Sequence, residues 1–275
     1  MTTADGRPDL SIIIVSYNAR ADLVRCLQSL AAAPSLATHE IIVVDNASTD
    51  GSADAARTEH AKVIDAGTNL GFARANNVGI RSSTGRHLLI LNSDTIVPPG
   101  AIDTLLRCLA QRDDVAALGP RLIDANGRAE LSFGHMIHPL VEWRQKRLVT
   151  GNARGDRRIA ARVDALTRQE REVDWVSGAC LLVRRADADA VGLFDERYFM
   201  YTEDVDFCAA LRARGRRVLF VPSVEVVHLR GRSAASAPAA TARAYAQSRL
   251  AFYDKHLPRW APVLRLLLRA RGTDI

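Results

Sequence analysis

Cysteine is scarce: the 275 residues contain four, Cys26, Cys108, Cys180 and Cys208, far apart and never as Cys-x-x-Cys. That spacing argues against a zinc site and a disulfide framework, and leaves reduced, buried thiols as the expectation. No stretch reaches the roughly 18 consecutive apolar residues of a membrane span, and residues 1–9 carry no apolar signal region, so a cytoplasmic protein is expected. Gly-x-Gly-x-x-Gly and Gly-x-x-x-x-Gly-Lys-Ser/Thr are both missing, which removes the dinucleotide fingerprint and the P-loop. Aromatics make up 5% and are not interleaved with runs of basic residues. The net charge of +6 therefore points away from nucleic acid and toward an anionic small ligand or an anionic membrane face. Hydrophobic content is 48% and charged content 25%, enough for a large core in one or two domains.

Leu88-Leu-Ile-Leu91 is followed abruptly by Asn92-Ser-Asp94, just before Pro98-Pro-Gly100. Consecutive aliphatics bounded by turn residues read as a strand buried on both faces, as in a parallel sheet. Leu10–Ser16, Glu40–Asp45 and Lys62–Asp65 have the same character. Between them lie helical stretches, one with Leu23, Cys26, Leu27 and Leu30 on a single face, the others at Ala53–Glu59 and Ala73–Arg81. This alternation predicts βαβ units, a mainly parallel sheet and helices on both of its faces. Three strand ends carry polar pairs: Tyr17-Asn18, Asp45-Asn46, and Asn92 with Asp94. In such sheets the ligand crevice lies outside the carboxyl ends of the strands. Carboxylates there suit a nucleoside's donors and a hard cation on its phosphates. A lone carboxylate after a strand is more often a cap or turn residue, and Asp94 alone does not decide between these.

Further along, Arg121–Leu131 predicts a hairpin and Ser132–Glu172 an irregular, Arg-rich stretch over an acceptor cleft. Val173–Arg184 reads as a strand, with Trp175 either core or acceptor-facing. Glu203, Asp204 and Asp206 follow Thr202, a natural N-cap, and fall in a first helical turn where the dipole favours acids. The helix stops at Gly215. Arg217–Pro222 and Val224–His228 read as two strands, and His228 ends the second; a lone histidine is more often structural. Beyond Ala234 a hinge is expected, then helices from about Thr241 to His256 and from Trp260 onward. Trp260, Val263, Leu264, Leu267 and Leu268 form a stripe, with Arg265, Arg269 and Arg271 elsewhere.

The segments Ile12–Asn18, Val43–Ser52, Asn69–Gly79 and Leu91–Asp94 together resemble the family 2 glycosyltransferases, most nearly the bacterial rhamnosyltransferase-like branch. The resemblance spans about Leu10 to Ser233. It implies a GT-A fold, α/β and Rossmann-like: residues 1–120 binding the nucleotide-sugar, 121–235 the acceptor and catalytic base, and 236–275 a C-terminal helical tail. It implies inverting transfer, with dTDP-L-rhamnose the favoured donor over UDP- and GDP-sugars, to a glycan or lipid-linked acceptor in cell-wall or surface polysaccharide synthesis. By the same resemblance Asp45 accepts from the base N–H beside Tyr17, Asn18 and Asn46, and Asn69, Arg74 and Asn77 surround the nucleoside. Asp94 binds Mg²⁺ or Mn²⁺, with Asn92 and His228 completing the site. Asp204, paired with Glu203, is the general base, and Trp175 and Asp206 contact substrate. Asn92 stands where the family commonly has Asp and offers a neutral oxygen instead. A nucleotidyltransferase would need a Gly-rich, Lys/Arg-bearing loop after the first strand, where this chain has Val15-Ser-Tyr-Asn-Ala-Arg20. A non-catalytic sugar-nucleotide binder is opposed by the intact Asp94 and Asp204. The C-terminal stripe is expected either on the anionic inner membrane surface, making the protein peripheral, or against protein, its own core or a homodimer partner.

Overall fold

The computed structural model describes residues 6–32, 35–229 and 238–270. The β-branched run Leu10–Ser16 forms β1, which sits inside the sheet, parallel to β2 (His39–Asp45) on one side and β4 (His87–Asn92) on the other. β3 (Lys62–Asp65) extends the sheet from β2, also parallel. The connections are α1 (Arg20–Ala32), α2 (Ser52–Thr58) and α3 (Gly71–Arg81). Side chains alternate across a strand, so β1 serves two cores. Ile12 and Ile14 pack with Leu23 and Leu27 of α1, and Ile13 packs with Ala75 and Ile80 of α3.

The sheet then changes direction. β10 (Cys180–Arg184) lies antiparallel between β4 and β6 (Val115–Ile123), and β11 (Arg217–His228) runs parallel to β6. β5 (Thr95–Ile96) and β8 (Arg171–Val173) pair antiparallel with β11, giving the order β3-β2-β1-β4-β10-β6-β11-β5. The two strands predicted around Pro222 are thus one. Its register shifts between Val221 and Glu225, an irregularity that accommodates a proline without an N–H to donate. The run Val173–Arg184 is instead divided among β8, β9 (Trp175–Val176) and β10, and β9 pairs with β7 (Phe133–Gly134) in a separate small sheet. The predicted hairpin after Arg121 is present: Glu130 donates its N–H to the Leu122 carbonyl at 2.9 Å.

The irregular stretch expected over Ser132–Glu172 is largely helical, with α5 (Pro139–Ala153) and α6 (Arg157–Leu166). α5 has no fully buried residue, so it lacks the apolar stripe by which a helix announces itself. α6 is capped by Asp156, whose carboxylate accepts from the N–H groups of Arg158 and Ile159. The remaining helices are α4 (Ala101–Ala110), α7 (Arg185–Ala190), α8 (Glu203–Ala213), α9 (Pro238–His256) and α10 (Ala261–Ala270). The hinge expected past Ala234, the last residues of the resembling span and Arg271 lie outside the described residues. Ala246, Phe252 and Tyr253 of α9 and Ala261, Leu264 and Leu268 of α10 belong to the same core as α3.

Candidate active site

Parallel pairing puts Ser16 of β1 opposite Asp45 of β2, and Asn46 N–H donates to the Ser16 carbonyl at 2.8 Å, so the two polar pairs leave the sheet side by side. Asp45 is buried. Its Oδ2 accepts from Ser48 N–H at 2.9 Å, while its Oδ1 is buried with no hydrogen-bond partner among the described residues. A buried carboxylate oxygen left this way is poised for a donor from outside the chain. Asn18, in the left-handed region (φ 48°), accepts from Thr49 N–H, and Tyr17 stands 47% exposed at the mouth. Asn46 holds the facing loop: its amide donates to the Gly71 carbonyl and accepts from Leu70 N–H, while Asn69 accepts from Gly71 N–H. Gly71 has φ +78°, and a Cβ there would collide with the Phe199 carbonyl, so only glycine lets α3 begin this close to the 199 segment.

Two residues expected around the nucleoside are engaged elsewhere. Asn77 is fully buried; its amide donates to the Phe194 carbonyl and Glu196 and accepts from Phe194 N–H, leaving nothing for a base or ribose. Arg74 is exposed and pairs with Glu196 at 3.5 Å.

At the end of β4, Asp94 Oδ1 lies 3.3 Å from Nε2 of His228, the last residue of β11. Leu229 N–H donates to the Asp94 carbonyl at 2.8 Å, locking the two strand ends together. The other ring nitrogen, Nδ1, is 3.2 Å from Glu130, a buried carboxylate that nothing in the sequence pattern singled out. Burial opposes the imidazolium, but the two carboxylates outweigh it and raise the His228 pKa to about 9. With Nδ1–H given to Glu130, Nε2 carries a proton toward the Asp94 carboxylate, and a divalent cation that displaces that proton would find an imidazole nitrogen and a carboxylate oxygen side by side. Asn92 is beside it, its side-chain amide 3.3 Å from Nε2. Among the described residues no three His, Cys, Asp or Glu side chains could hold an ion by themselves. A carboxylate oxygen and an imidazole nitrogen fit Mg²⁺ or Mn²⁺ when diphosphate oxygens and water complete the shell.

The acids of α8 are close by. Asn92 N–H donates to the Ala179 carbonyl at 2.9 Å, and the preceding residue, Gly178, donates its N–H to Asp204 Oδ2 at 2.9 Å. Asp204 Oδ1 accepts from Val205 N–H. Burial raises the Asp204 pKa while these backbone donors pull it back. Glu203 has less support, from its own backbone N–H alone: burial, then the adjacent Asp204 charge, push it well above the usual range, and its Oε2 has no partner among the described residues. Burial thus favours the neutral form more strongly at Glu203 than at Asp204, whose backbone donors hold it nearer to ionisation.

The expected Thr202 cap differs from what the chain builds. Tyr201 and Thr202 are both left-handed (φ 71° and 67°), and no side chain caps α8. Such backbone costs about 1–2 kcal/mol per residue and is kept only where its surroundings impose it. Here Phe72 N–H donates to the Phe199 carbonyl at 2.6 Å and Ser248 Oγ to the Met200 carbonyl at 2.8 Å. Asp206 is 2% exposed and faces α9, bound by Lys255 Nζ at 2.8 Å and His256 Nε2 at 2.5 Å, which corrects its expected contact with substrate. Trp175 is half-buried and donates its indole N–H to the His135 carbonyl. Burial pushes Cys26, Cys180 and Cys208 up to about 12, which removes them as nucleophiles.

A family model described as "Glycosyltransferase like family 2" matches residues 8–262. The chain belongs to the family 2 glycosyltransferases. This glycosyltransferase is 35% identical, over 94% of its length and 89% of the relative's, to an N-acetylglucosaminyl-diphospho-decaprenol L-rhamnosyltransferase of Mycobacterium tuberculosis. Its fold matches a mannosyltransferase from Pyrobaculum calidifontis, solved with GDP-Man and Mn²⁺, at TM-score 0.61 and 18% identity, covering 94% of this chain and 68% of the other. It also matches S. aureus TarS with UDP-GlcNAc at TM-score 0.57 and 17% identity, over 83% of this chain and 61% of that one. The glycosyltransferase thus has the mostly parallel α/β architecture of the GT-A enzymes, with its acids gathered where the strands end.

Proposed function

We propose that this glycosyltransferase moves L-rhamnose from dTDP-L-rhamnose, with inversion, to a hydroxyl of a saccharide carried on a polyprenyl diphosphate at the inner face of the cell membrane, in cell-wall or surface polysaccharide synthesis. The observation that carries the reading is the 35% identity to a rhamnosyltransferase acting on such a carrier, sustained over nearly the full length of both chains. Asp45 Oδ1 accepts the base ring N–H and Tyr17 packs at the mouth. Asp94 and His228 would hold Mg²⁺ or Mn²⁺, which when bound would neutralise charge on the leaving diphosphate. Support for the metal comes from the adjacent Asp94–His228 pair and from the Mn²⁺ in the mannosyltransferase of the same fold. Asp204, its carboxylate oriented by two backbone N–H groups, takes the acceptor hydroxyl's proton as the oxygen attacks the anomeric carbon and the bond to the diphosphate breaks. Incubating the protein with dTDP-L-rhamnose, UDP-sugars and GDP-sugars, Mg²⁺ or Mn²⁺ and N-acetylglucosaminyl-diphospho-polyprenol tests this. Nucleotide diphosphate release with a rhamnosylated lipid is expected from the first donor alone. Preferred release from a UDP- or GDP-sugar would overturn the donor assignment, and donor loss without a transferred product the acceptor.

A further inference from the structure

α10 is apolar on two opposite sides. Ala261, Leu264 and Leu268 face the core, whereas Val263, Leu266 and Leu267 point outward, Leu266 being 70% exposed. A helix that is hydrophobic nearly all round is normally covered on every side. α5 has the complementary oddity: it buries no residue fully and leaves Leu140 and Trp143 more than half exposed. The two helices meet where His138, at the start of α5, makes an edge contact of 5.9 Å with the exposed Trp260 that precedes α10. Their outward apolar side chains, Leu140 and Trp143 on one helix and Val263, Leu266 and Leu267 on the other, thus flank a common contact point.

The charge around that surface is mainly positive, its acids Asp156 and Asp254 being taken up by the cap of α6 and by Arg265. Arg144, Lys146, Arg259 and Arg269 form no ion pair with any described residue, and Arg147 lies over the Trp143 ring at 4.8 Å. Glu142, the acid of α5, is turned inward to Arg249 and Tyr253, and α10 contains no acid. Between α5 and α6 an open cleft of about 580 Å³ brings Lys146, Arg147 and Arg154 around Trp143 against one acid, Asp156, whose carboxylate is occupied capping α6, so three cations to one carboxylate leave the cleft a net positive charge that suits a phosphate headgroup. A second copy is a poor occupant, because a two-fold contact would set these cations against their own images.

We propose that α5 and α10 together seat the enzyme on an anionic phospholipid bilayer, with Leu266, Leu267 and Trp143 entering the interface and Lys146 and Arg147 meeting lipid phosphates. The inference deepens the reading of a lipid-linked acceptor, on which it rests for its purpose, but acceptor-free vesicles test it separately. The full chain should sediment with phosphatidylglycerol-containing vesicles, weakly with phosphatidylcholine alone, and less as salt is raised. Arg147→Glu should lose roughly five-fold or more in vesicle affinity, about the worth of one cation near an anionic surface. Leu266→Glu should lose at least as much. Both positions are exposed, so melting temperatures should not move; should Leu266→Glu melt early, Leu267→Gln takes its place. Arg57→Glu on α2 makes the same net-charge change away from the surface and should bind nearly as wild type. Equal sedimentation with both vesicle types, unchanged binding by the α5 and α10 variants, or an equal loss in Arg57→Glu would overturn the proposal. So would a wild-type dimer that Leu266→Glu dissolves without altering vesicle binding.

Discussion

Asp204 and Glu203 are sequence neighbours under opposite constraints, and the difference lies in two backbone N–H groups. Because Gly178 and Val205 donate to Asp204, while burial and the Asp204 charge push Glu203 further up, Asp204 is the better suited of the two to act as an ionised base. Asp204→Asn should lower single-turnover transfer by about 10² to 10⁴-fold while donor binding survives. Glu203→Gln should cost far less, because burial and the Asp204 charge favour the neutral form of Glu203, which Gln resembles. A dead Glu203→Gln beside an active Asp204→Asn would reverse the assignment. Residue Glu130 fixes the His228 ring so that Nε2 faces Asp94, and Glu130→Gln should weaken Mn²⁺ binding, measured by calorimetry with nucleotide diphosphate present, by roughly 10 to 100-fold. Metal must also displace the ring proton, so affinity should climb as pH rises toward about 9. The sign for stability is opposite in the metal-free protein. A pKa raised from 6.5 to about 9 contributes stability that is full below the lower value and lost as pH passes the higher, so the melting temperature in chelator should fall across that window. Asp94 and His228 were legible in the sequence because each closes an apolar strand. Glu130 was not, lying in a polar hairpin where one carboxylate looks like the next. Asn77 and Asp206 carry no mark in the sequence that separates a polar side chain spent inside the fold from one offered to substrate.

At the level of elements, α9 supports the site from behind. Ser248 holds the Met200 carbonyl, Tyr245 meets Tyr201 edge-on at 5.6 Å, and Lys255 and His256 close on Asp206, so three points of one helix pin the left-handed backbone that aims Glu203 and Asp204. The Asp206 carboxylate pays for its burial through His256 and Lys255, which leave its pKa below the usual value. Such a group stabilises above its unfolded pKa and the contribution is lost as pH falls through the folded one. Asp206→Ala should cost about 2–3 kcal/mol, under the 3–5 typical of a wholly buried pair because Lys255 and His256 are about 30% exposed. Denaturant unfolding measures it, and a change under about 0.5 kcal/mol would remove the latch from the account. β1, β2 and β4 were readable from their β-branched or aliphatic runs, as were α1 and α3 from one apolar face each. α5 was hidden because it has no such face, and β11 looked like two strands because Pro222 falls where its register shifts. The C-terminal stripe was read as one surface, yet Leu264 and Leu268 pack inward while Val263 and Leu267 point out.

Across the whole molecule, residues 1–120 and strands that follow share one sheet, with β10 running antiparallel between β4 and β6 as the join. Strand order is the part least accessible from sequence, since β10 pairs with β4 and β11 with β6, each more than 80 residues away, and no local pattern encodes partners. That closure has a thermodynamic consequence. Asp45 comes from β2, Asp94 follows β4 and His228 ends β11, so a ligand touching all three is bound only by the assembled sheet and should stabilise folding as a unit. At about 100 times its dissociation constant a nucleotide diphosphate with Mn²⁺ adds about 2.7 kcal/mol, which for a chain of this size raises the melting temperature by roughly 5–10 °C. If the ion that meets the phosphates is held by Asp94 and His228, as proposed, chelator should remove most of that shift, and Asp94→Ala should show little of it with or without Mn²⁺. Asp45→Asn should weaken the shift while leaving its metal dependence intact, since it alters the base contact alone. Thermal melts of the wild type and both variants, with nucleotide diphosphate and either Mn²⁺ or EDTA, decide the matter. A wild-type shift of the same size in EDTA would mean that the nucleotide is held without the metal, and would take the ion out of donor binding altogether.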